Sequence, residues 1–189
     1  LHTTAIACTP SYLLHMGEVA EKMGVSIRDD TDLRMGILGA EPWSDAMKAR
    51  IEDWLGIKAY DIYGTSELYG PMFCECAEQN GFHVWGDLAY VEILDPVTGE
   101  SLGPGEKGEL VVTMLQKEAL PMIRYRIGDI TSYEDGVCAC GRTHPRVMRI
   151  SGRVDDMLII RGINVFPSQI EYALMPLSLI HISEPTRPY

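Results

Sequence analysis

The residues Ile57-Lys58-Ala59-Tyr60-Asp61-Ile62-Tyr63-Gly64-Thr65-Ser66-Glu67 run from an apolar, β-prone segment straight into glycine and small polar side chains. Residues 57–63 predict a strand, with a loop at its carboxyl end from Gly64 onward. Immediately upstream, Ser44 can cap a helix carrying Met47, Ile51, Trp54 and Leu55 on one face, and Gly56 can close it. Before that helix, residues 35–38 form a short apolar run ending in Gly39-Ala40-Glu41. Strand, helix and strand in this order make a β-α-β unit, which predicts a parallel sheet. Ligands of such sheets gather outside the carboxyl ends of the strands, where both polar turns fall.

Further out, residues 11–23 carry Leu14, Glu18 and Val19 at helical spacing, and Gly24 can end that helix. Cys8 reads as a core residue of the apolar segment 4–8. From Phe82 onward the signals are mostly β. Residues 88–94 and 109–115 are strand-like, with turn chemistry at 95–99 and at Gly103-Pro104-Gly105 between them, so antiparallel meander pairing is expected. Near Arg153 a third region begins: Asp155-Asp156 precede residues 157–160, followed by Arg161-Gly162 and a helix start at Pro167-Ser168.

Of the 189 residues, 46% are apolar and 23% charged, which suffices for a globular domain with its own core. Sixteen Lys and Arg against 27 Asp and Glu leave a formal net charge of −11. Such a surface repels phosphate backbones and argues against sequence-independent nucleic-acid binding. No apolar run is long enough to predict a membrane span, and no charged-then-apolar leader opens the chain. Five cysteines are an odd count for a disulfide framework, so a reducing cytoplasm is expected. The chain opens at Leu1 without an initiator Met, which predicts a piece of a longer protein. Residues 177–189, LSLIHISEPTRPY, abandon the helical pattern begun before them. They resemble a translated sequencing adapter and are expected to be an artefact.

Tyr63-Gly64-Thr65-Ser66-Glu67 holds the parts a phosphate site needs. A glycine lets the backbone approach a ligand, a Thr hydroxyl can bond a phosphate oxygen, and a Glu can hold Mg²⁺. Alone the pentapeptide is weak, because strand-to-loop turns with small polar residues are common. Three further motifs keep it company in fixed order: Gly39-Ala40-Glu41-Pro42-Trp43 upstream, then Arg124-Tyr125-Arg126-Ile127-Gly128-Asp129 and Ser151-Gly152-Arg153-Val154-Asp155-Asp156-Met157 downstream. Together they resemble the adenylate-forming superfamily of acyl-CoA ligases. The flanking wording, Thr9-Pro10-Ser11-Tyr12 and the run from Ile160 to Glu171, resembles its phenylacetate–CoA ligase branch.

That resemblance implies an α/β fold. Residues 1–154 would be the C-terminal portion of the AMP-binding large domain, a β-α-β sheet portion plus an antiparallel β region. Residues 155–176 would be the hinge and the start of the small C-terminal lid. It also implies roles: Gly39, Ala40 and Glu41 lining the adenine pocket, Tyr63 flanking the base, Gly64 and Thr65 at the α-phosphate, and Glu67 on Mg²⁺. Asp129 would accept from the ribose hydroxyls, Arg153 would reach ribose or phosphate, and Asp155 would be the hinge of the rotating lid. Gly162 would border the pantetheine tunnel of CoA. The family usually has a polar residue where Ile127 stands, which puts one nucleotide contact in doubt. Its Ser/Thr/Gly-rich phosphate loop and the lid's catalytic Lys match nothing in this chain.

The cysteines suggest a separate site. Cys138-Ala139-Cys140-Gly141 is a compact knuckle-like turn, and Cys74-Glu75-Cys76 precedes His83. Four soft or borderline ligands in two pairs suit tetrahedral Zn²⁺ in a structural role. The preferred set is Cys76, His83, Cys138 and Cys140, with Cys74 the alternate, although Cys-x-Cys is tighter than the usual spacing. Free thiols are the plainer reading.

The expected function is activation of an aryl carboxylate by ATP and its transfer to CoA, with Thr65 and Glu67 at the reacting phosphate. Arg126 and Arg153 are expected to help offset the negative charge. Dimerisation is a family expectation only. Rival readings keep the adenylation chemistry on another acid or metabolite, or make the chain a catalytically silent, zinc-stabilised nucleotide-binding module.

Overall fold

A computed structural model describes residues 2–155, 158–160, 163–165 and 170. The expected lid boundary, Gly162 and the segment 177–189 therefore lie largely or wholly outside the described residues.

Thr9 caps the first helix through its side chain, which accepts from the Tyr12 amide at 3.3 Å, and Pro10 occupies the first turn, where its missing N–H costs nothing. The result is β1 (Ala5–Cys8) followed by α1 (Pro10–Lys22) and a short α2 (Ile27–Asp30). The β-α-β unit then appears as read: β2 (Met35–Gly39), α3 (Asp45–Leu55) and β3 (Lys58–Tyr63). The Ser44 hydroxyl accepts from the Met47 amide at 3.2 Å, and Gly56 closes α3 in the left-handed conformation. Strands β1, β2 and β3 pair in parallel, Met35 opposite Ala5 and Lys58 opposite Met35. Leu13, Leu38, Ile51 and Leu55 form the core between the helices and this sheet. Cys8 corrects its reading slightly: it is half-buried at the edge of that core and only packs against it.

The same sheet continues with antiparallel strands too short for alternation to reveal. They are β4 (Phe73–Cys74) and β5 (Phe82–His83), and further along the chain β9 (Tyr133–Glu134) and β10 (Arg146–Val147), in the order β1-β2-β3-β4-β5-β10-β9. A second, antiparallel sheet holds β6 (Ala89–Leu94), β7 (Gly108–Met114), β8 (Tyr125–Thr131) and β11 (Gly152–Arg153), in the order β11-β8-β7-β6. That is the expected meander. Its turn is built as the sequence predicts, the Asp95 carboxylate accepting from the Val97 and Thr98 amides at 2.8 Å each. A hairpin of β12 (Leu158–Ile160) and β13 (Ile163–Val165) follows. The two sheets share a core of Phe73, Phe82, Ile93, Leu110, Val112 and Val147.

Candidate functional site

The parallel strands deliver two turns side by side, because Gly39 at the end of β2 pairs with Ile62 at the end of β3. The strands close so tightly here that a Cβ on Gly39 would lie 2.5 Å from the Ile62 carbonyl oxygen, so only glycine fits. The next residue, Ala40, is held at φ +67°, a conformation non-glycine residues seldom adopt. Such strain persists where the surroundings over-determine it. Here the Glu41 carboxylate anchors the turn by accepting from the Ser11 amide at 2.5 Å and the Ser11 hydroxyl at 2.8 Å. Ser11 lies in the first turn of α1, where the helix dipole favours a carboxylate.

After β3 the chain loops back on itself. A Cβ on Gly64 would sit 2.0 Å from the Gly70 carbonyl oxygen, and the Met72 amide donates to the Tyr63 carbonyl at 2.8 Å. Leu68 is fully buried and pins the loop from below. Lys117 pins it from the side, its Nζ donating to the Glu67 carbonyl at 2.5 Å and the Leu68 carbonyl at 2.7 Å. Two side chains in this fixed loop are left uncommitted. The Thr65 Oγ1 is buried with no hydrogen-bond partner. The Glu67 side chain is exposed and, among the described residues, has no partner. A buried hydroxyl without a partner is costly and calls for an explanation.

Tyr63 joins the two sheets. Its ring stacks on Phe73, with centroids 6.1 Å apart and planes 13° from parallel, and its hydroxyl donates to Asp129 Oδ2 at 2.5 Å. Burial pushes the phenol's pKa up, and the neighbouring Asp129 carboxylate adds to this, so Tyr63 remains a donor. The other Asp129 oxygen accepts from Arg153 Nη1 at 2.6 Å. Arg153 also grips Asp155, donating from Nε at 2.9 Å and from Nη2 at 3.2 Å. That guanidinium lowers the Asp155 carboxyl's pKa below the usual range. Gly128, between these groups at φ +87°, leaves the room that Arg153 fills, since a Cβ there would meet Nη2 at 3.0 Å.

Of the residues expected at the nucleotide, then, Gly39, Ala40, Glu41, Gly64, Thr65 and Glu67 line the carboxyl ends of β2 and β3. Tyr63, Asp129, Arg153 and Asp155 form one contact chain beside them. Arg126 does not join them. Strand alternation turns it to the face opposite Ile127 and Asp129, where its Nε donates to the buried Glu109 at 2.7 Å. Ile127 is itself buried in the core, so it offers no polar contact there. Asp129 lies within β8.

Sequence reasoning missed Ser11 and Lys117, whose roles depend on contacts 30 and about 50 residues away along the chain. It also missed a buried charge cluster beneath Trp43. Lys48 Nζ lies 2.6 Å from Glu75, and the same carboxylate accepts from the Asp61 amide at 2.8 Å. Lys48 and Arg149 flank the Trp43 ring, each 5.7 Å from its centre. Burial, reinforced by the Glu75 charge, outweighs the Trp43, Arg149 and Lys48 contributions and pushes the Asp61 carboxyl up to about 6. A folded carboxyl that keeps its proton to about pH 6 loses stability relative to the unfolded chain as pH rises from roughly 4 to 6. Asp61→Asn is therefore expected to match the wild type near pH 4 and to exceed it by up to about 3 kcal/mol at pH 7. Urea unfolding of both proteins across that range checks this; a difference independent of pH would contradict it.

The second cluster forms as the sequence suggests. Cys76, His83, Cys138 and Cys140 offer ligand atoms that all lie within 4.8 Å of one another. Cys74 lies opposite His83 in the β4–β5 ladder but does not belong to the group.

Comparison with known proteins decides the family. Residues 1–115 match the family model described as AMP-binding enzyme. The chain belongs to the AMP-binding enzyme family. Among curated AMP-binding relatives, it is 47% identical over 174 residues to a phenylacetate–coenzyme A ligase of Thermus thermophilus, which covers 91% of this chain and 39% of that protein. It is 51% identical over 174 residues to the phenylacetate–coenzyme A ligase of Pseudomonas putida, with the same coverage. The chain thus spans about two fifths of the length of these relatives. Among solved structures, a 2-hydroxyisobutyryl-CoA ligase in the postadenylation state superimposes with a TM-score of 0.85 at 35% identity, covering 94% of this chain and 38% of that one. The fold is accordingly part of an AMP-binding enzyme's α/β architecture. Among the described residues, no helix is long and apolar enough to cross a membrane.

Proposed function

We propose that the protein carrying this chain is an ATP-dependent ligase that joins an aryl carboxylic acid to CoA. The observation that carries this is the buried, partnerless Thr65 hydroxyl, set in a rigid loop at the carboxyl end of β3 beside an uncommitted Glu67 carboxylate. A hydroxyl kept at such cost is ready-made for a phosphate oxygen. Similarity to phenylacetate–coenzyme A ligases supplies the acid class.

In the first half-reaction a carboxylate oxygen bonds the α-phosphorus of ATP. The bond from that phosphorus to the bridging oxygen breaks, and pyrophosphate leaves with the electron pair. In the second, the CoA sulfur bonds the acyl carbon, AMP leaves with the former carboxylate oxygen, and the thiol proton is released. Neither step needs a side-chain nucleophile, so the chain's task is positioning and charge stabilisation. The Thr65 hydroxyl donates to the α-phosphate, where charge develops. Gly39 and Gly64 let the two turns pack closely at the ends of β2 and β3, and Ala40 and Glu41 shape the adenine edge. Glu67 would hold Mg²⁺, whose charge offsets that of the phosphates.

Asp129 presents the ribose contact. Tyr63 and Arg153 each take one bond from it, leaving about half the acceptor capacity of a carboxylate for hydroxyls. Arg153 neutralises that carboxylate and tethers Asp155, the hinge between the nucleotide domain at 1–154 and the lid that follows. Gly162, outside the described residues, would border the CoA arm.

Supplying arylacetates, ATP, Mg²⁺ and CoA to the protein as encoded in full, and following AMP and thioester release, tests the reading. Arylacetates are expected to turn over in preference to short aliphatic acids. Failure to release AMP with any aryl acid would overturn it.

A further inference from the structure

We propose that Cys76, His83, Cys138 and Cys140 bind one structural Zn²⁺ that ties together the segment after β4, strand β5 and the β9–β10 turn. The separations have the size a tetrahedral ion demands. Bonds of about 2.3 Å to sulfur and about 2.0–2.1 Å to imidazole put sulfur pairs roughly 3.8 Å apart and sulfur–nitrogen pairs roughly 3.6 Å apart. Cys76 Sγ and Cys138 Sγ are 3.8 Å apart, and Cys140 Sγ and His83 Nε2 are 3.5 Å apart. All four ligand atoms lie within 4.8 Å of one another. Three of the four residues are buried, Cys76 at 8%, His83 at 1% and Cys138 at 3% exposure. Three thiols and an imidazole converging in a nearly dry pocket match the Cys₃His set of closed structural sites, with no position left for a reactive water.

The surroundings fit the charge. Three thiolates and one Zn²⁺ leave a net negative centre, and Arg142 Nη1 reaches Cys140 Sγ at 3.3 Å. An outer donor of this kind orients and stabilises a ligand. The turn itself is preset: the Cys138 amide donates to the Arg142 carbonyl at 3.0 Å, and the Gly141 amide to the Cys138 carbonyl at 2.9 Å.

The position of the site explains what it does for the fold. Cys76 follows β4, whose Phe73 and Cys74 pair with Tyr63 and Ile62 at the end of β3. His83 lies on β5, and the Cys138–Cys140 turn links β9 to β10. β9 in turn follows β8, which carries Asp129. Strands of two residues hold few ladder bonds, so this corner of the sheet has little else to fix it. The ion would tie it at three points and, through β3 and β8, hold the nucleotide-facing groups in register. The metal site itself stands on the ligand geometry and does not depend on the proposed ligase activity.

Native mass spectrometry of the protein as encoded in full, purified without chelator, reads the ion directly. One zinc per chain is expected, and replacement by cobalt should give the intense thiolate-to-metal absorption of a tetrahedral site. Cys74→Ser should keep the metal, whereas Cys140→Ser should weaken its retention at least about tenfold. Metal-free folded wild-type protein with freely reacting thiols, a Cys76–Cys138 disulfide, or loss of metal in Cys74→Ser would each overturn the proposal. If Cys140→Ser does not fold, the wild-type stoichiometry and the cobalt spectrum decide alone.

Discussion

Thr65→Val is expected to leave the protein at least as stable as the wild type while lowering adenylation about 10²-fold or more. The two halves of that result have one cause. Thr65 Oγ1 is buried and partnerless in the folded chain, so the hydroxyl contributes desolvation cost and no bond. Valine has nearly the same shape, and removing the polar atom relieves the cost. If the hydroxyl is there to meet a phosphate oxygen, its loss removes a donor aimed at developing charge. Deleting one such donor typically costs about 10²–10³ in rate. Thermal unfolding and single-turnover adenylation on the same preparations check both halves. A clear loss of stability with unchanged adenylation would assign Thr65 a structural role instead.

Asp129→Ala is expected to lower both stability and nucleotide affinity. Tyr63 loses the acceptor for a hydroxyl whose ring is stacked between the sheets, and an unmet donor there costs about 1–3 kcal/mol. Arg153 adds less, because its side chain is 40% exposed and water screens the pair. Nucleotide affinity should fall roughly tenfold or more, the worth of one hydrogen bond to a charged group. Asp129→Asn separates the two effects: its amide oxygen can still accept from Tyr63, so most stability should return while ribose binding stays weak. Urea unfolding and AMP titration check this, and an Asp129→Ala protein indistinguishable from wild type in both would contradict it.

Much of this architecture was legible because its signals are local. Ser44 and Gly56 bracket α3, and glycines mark the end of β2 and the start of the loop after β3, so the parallel unit and the two turns at its carboxyl edge could be read from the chain alone. The Cys and His pairs were legible for a similar reason, since residue chemistry narrows the choice of partners. What escaped was set by tertiary contact. Two-residue strands such as β4 and β10 have no alternation to detect, and they exist because β3 and β5 offer open edges. Lys117 sits in an unremarkable polar stretch and acquires meaning only where its ammonium reaches the loop holding Thr65. Arg126 belongs to a motif but is turned away from the site by strand alternation, which spacing in a motif does not reveal. Lys48 points inward from α3 because Glu75 and the Trp43 ring receive it, against the usual preference of lysine for water.

The central claim is that the carboxyl ends of β2 and β3 are an adenylation site. Its most direct measurement is exchange of labelled pyrophosphate into ATP, without CoA, in the protein as encoded in full and in Glu67→Gln. Exchange that requires an aryl carboxylate and Mg²⁺, and that collapses in Glu67→Gln while the fold is retained, is the result predicted. Exchange undiminished by Glu67→Gln would contradict the assignment of the metal-bearing carboxylate, and no carboxylate-dependent exchange in the wild type would contradict the site itself.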